Sequence, residues 1–256
     1  MFSFDKRILY IVLGIFVFIN IANRLTNTDS LLILLITLPA VLIAITFHEF
    51  AHAFAADKLG DNTPRNQGRL TLNPLKHIDI IGFALLIVAG FGWGKPVEIN
   101  PRNFKRNISM TKAEAIVAFA GPLMNFLLAI FSTIILTLLI KYDVLVNMPS
   151  RTVWLIFVFI VELILINIGL GLFNLIPLPP LDGSKILNHF LPSNARHWFE
   201  SNQQILYIIF IAIWITGIAG MVITPCIENI VKWLFILIGN IFNTNIKIIL
   251  QIFGIF

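Results

Sequence analysis

Apolar residues run along this chain in blocks of membrane-crossing length. Residues 31–56, 113–140, 152–177 and 203–224 each reach the roughly 20 residues that carry a helix across a hydrocarbon core of about 30 Å. Two weaker candidates flank them. Residues 8–22 follow Lys6 and Arg7 and lack a small-residue cleavage pattern, so they read as an uncleaved first span rather than a signal peptide. Beyond Pro225, residues 227–255 form a last candidate interrupted by Lys232, Asn240, Asn243 and Lys247. The pattern predicts an all-α, polytopic bundle of about six transmembrane helices. No repeat or linker divides it, so residues 1–256 read as a single membrane domain.

Residues 80–93 break the pattern. Fourteen residues at 1.5 Å each give about 21 Å of helix, too short to cross comfortably, and Gly90, Gly92 and Gly94 crowd the end. They predict a short re-entrant loop or β-hairpin. The basic residues agree: if the segment returns to its own side, Lys6 and Arg7, Lys58, Arg65, Arg69 and Lys76, Lys95, Arg102, Lys105, Arg106 and Lys112, and Lys185 and Arg196 share one face. The opposite face keeps Arg24, Lys141 and Arg151, so the rich face is expected in the cytoplasm of a multi-pass cell-membrane protein.

Composition closes off other classes. With 58% hydrophobic and only 12% charged residues in 256, the chain cannot coat a soluble exterior; its surroundings are the lipid bilayer. A net charge of +5 sits beside apolar runs, which argues against nucleic acid, and one Cys excludes a disulfide framework.

Within residues 31–56 stands His48-Glu49-Phe50-Ala51-His52, an HExxH. On a helix, positions four apart share a face, so two imidazoles can grip one Zn2+ while Glu49 reaches a water beside it. Three ionisable groups below so apolar a run need a reason, because each costs about 2.5–3.5 kcal/mol at a bilayer centre on insertion scales. The plain alternative is that they sit at the polar mouth of the helix, satisfied by water. HExxH supplies two ligands, and the third must emerge at the same end. Asp182 does so, after a span that Pro177, Pro179 and Pro180 stop, with Gly183 allowing the turn that follows. His77, His189 and His197 are rival ligands expected in solvated loops or at an interface.

Three segments occur here in the order that marks a known family: HEFAH in a transmembrane helix, GPLMN at residues 121–125 and NLIPLPPLDG at residues 174–183. They resemble the site-2 protease family of intramembrane zinc metalloproteases, in its compact form without accessory domains, over about residues 41–190, within an expected catalytic core of about 31–190. The resemblance implies that His48, His52 and Asp182 ligate one Zn2+ per chain, that Glu49 is the catalytic base, and that Asn125 and Asn174 line the active site. Ser184 departs from the second Gly many members carry after the Asp-Gly pair. Read without the family, Asn125 either donates its amide to a tetrahedral intermediate or makes an interhelical hydrogen bond.

The activity this implies is hydrolysis of a peptide bond within or near the transmembrane segment of a single-pass membrane protein. Such a substrate must unwind, and Phe91, Gly92 and Trp93, in the segment Phe91 to Ile99, would help hold its extended form. The longest loop, residues 178–202, is too short for a folded domain, so gating falls to a separate regulatory partner, a prior cut in the substrate or the chain's own loops. Two rival functions remain. A membrane-embedded zinc protease acting on non-transmembrane substrates would take a later Glu as third ligand, yet among Asp143, Glu162, Asp182, Glu200 and Glu228 the setting favours Asp182. A proton or cation transporter would use His48, Glu49 and Glu162, but lacks a repeated half.

Overall fold

The computed structural model describes residues 28–89 and 92–244. The expected span at 8–22, Phe91 and the chain beyond residue 244 lie outside them. Eight helices carry the described fold: α1 (Thr28–Lys58), α2 (Ile80–Ala89), α3 (Met110–Lys141), α4 (Ser150–Asn174), α5 (Asp182–Phe190), α6 (Ser193–Ser201), α7 (Gln203–Ile215) and α8 (Ile218–Phe242), with single turns at Thr63–Asn66, Pro74–Lys76 and Pro101–Asn103. Four are long and apolar enough to cross a membrane: α1 from Leu32, α3, α4 and α8.

Helix packing follows side-chain size. Between α3, α4 and α8 the core is built from larger groups: Leu136, Ile160, Ile164, Ile168, Val231 and Phe235. The buried apolar residues of α1 are instead all alanine, Ala40, Ala44, Ala51, Ala53 and Ala56, interleaved with buried Thr46, His48 and His52. Small residues let helix backbones approach closely where lipid provides no hydrophobic drive between helices. Ala56 packs with Phe104, Ala113 and Val117, and this tight α1–α3 seam sets the spacing of the site below. Outward faces of α7 and α8 expose Tyr207, Ile208, Met221, Val222 and Trp233, as lipid-facing surfaces should.

Two expectations are corrected. The stretch 203–224 is not one span ending at Pro225. α7 stops after 13 residues, about 20 Å, and the chain turns at Gly217, whose φ of 75° lies in the left-handed region that glycine enters without a Cβ clash. Pro225 lies inside α8, as Pro39 and Pro122 lie inside α1 and α3. A proline forfeits one helical hydrogen bond, whereas unwinding in hydrocarbon would expose several backbone groups with no water to receive them.

The second correction concerns residues 80–93. Among the described residues there is no strand, only an isolated antiparallel bridge between Ile78 and Gly94. Ten apolar residues satisfy their own backbone as helix α2, which Asp79 opens by accepting from the Gly82 N–H at 2.8 Å. The segment's ends nevertheless meet as expected of a re-entrant element. Lys95 N–H donates to the His77 carbonyl at 2.8 Å. Arg69 reaches from the preceding loop to donate to the Lys76 carbonyl at 2.5 Å and to that of Lys95, clasping both sides of the base.

Candidate metal centre

The HExxH lies in the last three turns of α1, and the α3 seam crosses directly over it. Gly121 is the crossing point: a Cβ there would lie 2.5 Å from His52 Nε2 and 2.6 Å from His48 Cε1. From the other side comes the α4–α5 connection. α4 ends at Asn174, and Asp182 is the first residue of α5. Gly183 follows it because a Cβ would strike the carbonyls of Leu175 and Ile176; the close approach, rather than a special φ, is what the position requires.

Three atoms converge. His48 Nε2 and His52 Nε2 are 3.0 Å apart, and each lies 3.2 Å from Asp182 Oδ2. The opposite edges of both imidazoles are engaged. His52 Nδ1 sits 2.7 Å from the Val117 carbonyl, which can only accept, so Nδ1 carries the proton. His48 Nδ1 sits 2.6 Å from Asn125 Oδ1. The Asn125 amide nitrogen donates to the Ala44 carbonyl at 3.2 Å and to Asn167 Oδ1 at 2.8 Å, and Asn167 in turn donates to the Leu163 carbonyl at 2.8 Å. That chain of acceptors fixes the amide, so His48 Nδ1 is also the protonated nitrogen.

Two lone pairs and a carboxylate oxygen therefore face one another. Asp182 Oδ2 is buried with no hydrogen-bond partner. One shared proton could satisfy only a single pair of the three; a divalent cation satisfies all of them. The spacing fits, because ligands about 2.0–2.1 Å from a tetrahedral zinc stand about 3.3 Å from one another. Among the described residues this is the cluster of His, Cys, Asp or Glu able to hold a metal ion. Asp143, Glu162, Glu200 and Glu228 stand outside it, as do the rival histidines. His197 is exposed, and His189 Nδ1 lies 3.4 Å from the Thr111 hydroxyl. His77 is not in a solvated loop: it is fully buried at the base of the re-entrant segment, donating from Nε2 to the Thr71 carbonyl at 2.8 Å, and burial holds its pKa below the ordinary imidazole value.

Glu49 flanks the cluster, and its Oε2 accepts the Val97 backbone N–H at 2.8 Å. A cavity of about 360 Å³ opens on His48, Glu49, His52 and Asp182, and Gly92, Trp93 and Asn174 line it as well. Asn174 returns its amide to the Leu170 carbonyl at 3.1 Å. Asn125, wholly buried, lies behind His48 with both amide hydrogens already given to other acceptors. A neighbouring cavity of about 710 Å³, walled by α4, α7 and α8, shares Gly92, Trp93, Leu170, Phe173, Pro180 and Leu181 with the first.

Two residues the sequence reading passed over support this end of the molecule. Asn167 has no local signature beyond being a polar group seven positions before Asn174, hence on the same helix face. Asp61 is fully buried just past α1, where it accepts from the Thr63 N–H and hydroxyl, the Asn100 N–H and the Asn103 amide at 2.5–3.0 Å. The run Asp61-Asn62-Thr63, an Asx-turn pattern, was the available signal.

Known proteins are similar to this chain over most of its length. The profile of peptidase family M50 matches residues 145–217. YwhC of Bacillus subtilis, named as a zinc metalloprotease, is 39% identical over 195 residues, 73% of this chain and 84% of its own length. MJ0611 of Methanocaldococcus jannaschii is 32% identical over 72% of this chain and 84% of its own length, and Rip2 of Mycolicibacterium smegmatis is 30% identical over 79% and 71%; both are also named as zinc metalloproteases. No solved structure matches the chain. A relative this similar over so much of both sequences, together with the M50 profile, shows that the chain belongs to peptidase family M50, the site-2 protease family, as a metalloprotease of the multi-pass membrane type.

Proposed function

We propose that the protein is an intramembrane zinc protease that cuts single-pass membrane proteins within or near their transmembrane segment, with its active site toward the cytoplasm. The observation that carries the reading is the triangle of unshared electron pairs on His48 and His52, in a helix apolar enough to lie in a bilayer, and on Asp182, which the end of another such helix delivers to them. Those three residues hold the zinc. Bound there, the ion supplies Lewis acidity, which polarises a carbonyl and makes a water easier to deprotonate.

Glu49 is the general base. Its Oε2 is held by the Val97 N–H, which aims the carboxylate and leaves Oε1 to take a proton from the attacking water and return it to the leaving amine. Asn125 serves through His48, whose Nδ1 proton it accepts, rather than through the oxyanion, because its own amide hydrogens are committed elsewhere. Gly92, Trp93 and Asn174 contact the substrate; the apolar cavity beside the site supports a substrate that arrives from lipid. The basic residues on the loops around α1, α3 and α4 at this end support a cytoplasmic placement.

The test compares wild type with Glu49→Gln, in detergent with zinc, on a panel of single-span membrane peptides, with metal content read on both. Near-stoichiometric zinc in both proteins is expected, with cleavage inside the spans by wild type and a rate at least about 100-fold lower in the variant. Equal cleavage by the variant would refute Glu49 as base, and a wild type without zinc would refute the metal centre.

A further inference from the structure

We infer that Asn167 is a positioning residue for the metal centre: by accepting a hydrogen from the Asn125 amide, it fixes which end of that amide faces His48 and so which imidazole nitrogen is left for the metal. The inference rests on His48 being a zinc ligand.

The two imidazoles are secured by different means. His52 leans on the Val117 backbone carbonyl, which accepts in every conformation. His48 leans on a carboxamide, whose two ends have nearly the same shape and opposite hydrogen-bonding character. Turned over, Asn125 would present its NH2 to His48 Nδ1. The imidazole proton would then move to Nε2, the nitrogen that faces His52 and Asp182, and the ligand would be lost.

What opposes that turn is the set of acceptors behind Asn125. The Ala44 carbonyl is one, at 3.2 Å, and Asn167 Oδ1 is the closer, at 2.8 Å. Asn167 is itself an amide, and its orientation is set by donation to the Leu163 carbonyl one turn earlier in α4, a group that cannot donate back. Direction is thus passed from a backbone carbonyl of α4, through two side-chain amides, to the metal-facing edge of a histidine on α1. Asn167 is fully buried within a candidate membrane span, and each of its bonds belongs to this relay. A polar side chain there is costly unless it is satisfied. Asn167 does not line the catalytic cavity, so its contribution goes through Asn125 and not through substrate.

The test uses the full chain in detergent, 15N-labelled at histidine, as wild type, Asn167→Leu and Asn167→Asp. Zinc affinity is measured by chelator competition, and imidazole tautomers by long-range 15N–1H correlation on the zinc-free proteins. Asn167→Leu removes the acceptor. It is expected to bind zinc about 10–100-fold more weakly and to show His48 as a mixture of tautomers, while His52 stays protonated at Nδ1. Asn167→Asp, whose carboxylic acid form offers the same acceptor and donor, should restore both readouts. Wild-type affinity and an unchanged His48 tautomer in Asn167→Leu would overturn the inference. Should that variant fail to fold, an Asn167→Asp protein as zinc-poor as Asn125→Leu would overturn it equally. A wild type that binds no zinc removes the ligand assignment beneath the inference, whereas zinc retention by both wild type and Asn167→Leu removes only the role of Asn167.

Discussion

Replacing Gly121 with alanine should damage the metal centre without substituting any of the residues proposed to hold the ion. The added methyl would lie 2.5 Å from His52 Nε2 and 2.6 Å from His48 Cε1, where ordinary contact begins at 3.4 Å, an overlap of about 0.8–0.9 Å on both rings. Neither ring yields freely, since each is anchored at Nδ1 by a bond of 2.6 or 2.7 Å. Either α3 withdraws from the alanine face of α1 or an imidazole swings by on the order of 1 Å, several times the tolerance of about 0.2 Å for a metal ligand. Zinc binding should weaken at least about 100-fold, which removes about 2.7 kcal/mol of zinc-dependent stabilisation at saturating metal. Overpacking should cost the zinc-free protein a further 1–3 kcal/mol or so. Helix propensity has the opposite sign, favouring alanine over glycine by about 0.8–1.0 kcal/mol, so direction alone discriminates. Thermal unfolding in detergent, with zinc and with chelator, measures both terms. A Gly121→Ala protein that gains stability and keeps the wild-type zinc increment would refute the account of the α1–α3 crossing.

The loops around the site carry two further predictions. For Asp61, burial pushes the carboxyl pKa up, but bonds from Thr63, Asn100 and Asn103 outweigh it and leave the value below the ordinary one. With the folded pKa depressed, its contribution is complete above the unfolded value near 3.9 and disappears as pH falls through the folded value. Asp61→Asn should lose about 1–3 kcal/mol at neutral pH and show a flatter stability profile than wild type below about pH 4; parallel profiles would count against the anchor. Arg69→Met strips the donor from the Lys76 and Lys95 carbonyls, at a cost of about 1–3 kcal/mol each. Amide hydrogen exchange over residues 92–99 should then accelerate while zinc content holds, and unchanged exchange would show that the clasp does not restrain the segment.

What could be seen in the sequence was what local spacing encodes. His48 and His52 share a helix face by arithmetic, and the placement of Asp182 followed from counting spans and noting where prolines stop one. The structure brings its carboxylate to 3.2 Å from both imidazoles. Asn167 had no such signature, because its meaning depends on Asn125, 42 residues away on another helix. The Pro225 and Gly217 error has a physical source: proline was weighed as it acts in water, where a broken helix is rehydrated, while in lipid the chain keeps its helix and turns at a glycine instead. The short strand expected after residues 80–93 came from glycine alternation, a signal that turns and loops share, and among the described residues it amounts to a single bridge from Gly94 to Ile78.

The re-entrant segment closes at its base through the Ile78–Gly94 bridge, the Lys95–His77 bond and the two bonds of Arg69. A loop pinned at its neck meets the rest of the framework beyond it through few side chains, Phe83, Leu86 and Trp93 beside Leu42, Ile45 and Thr46. Residues inserted or exchanged between those contacts should leave His48, His52 and Asp182 in place, at a loop-closure cost that grows only with the logarithm of length. Because Gly92 and Trp93 lie on that loop and also border the cavity that opens on His48, Glu49, His52 and Asp182, the proposed function implies that a lineage could alter what the enzyme accepts by rewriting this cassette. Within the family, divergence in length and lettering should therefore gather between the two halves of the neck, and a graft of the segment from a relative should carry substrate preference with it.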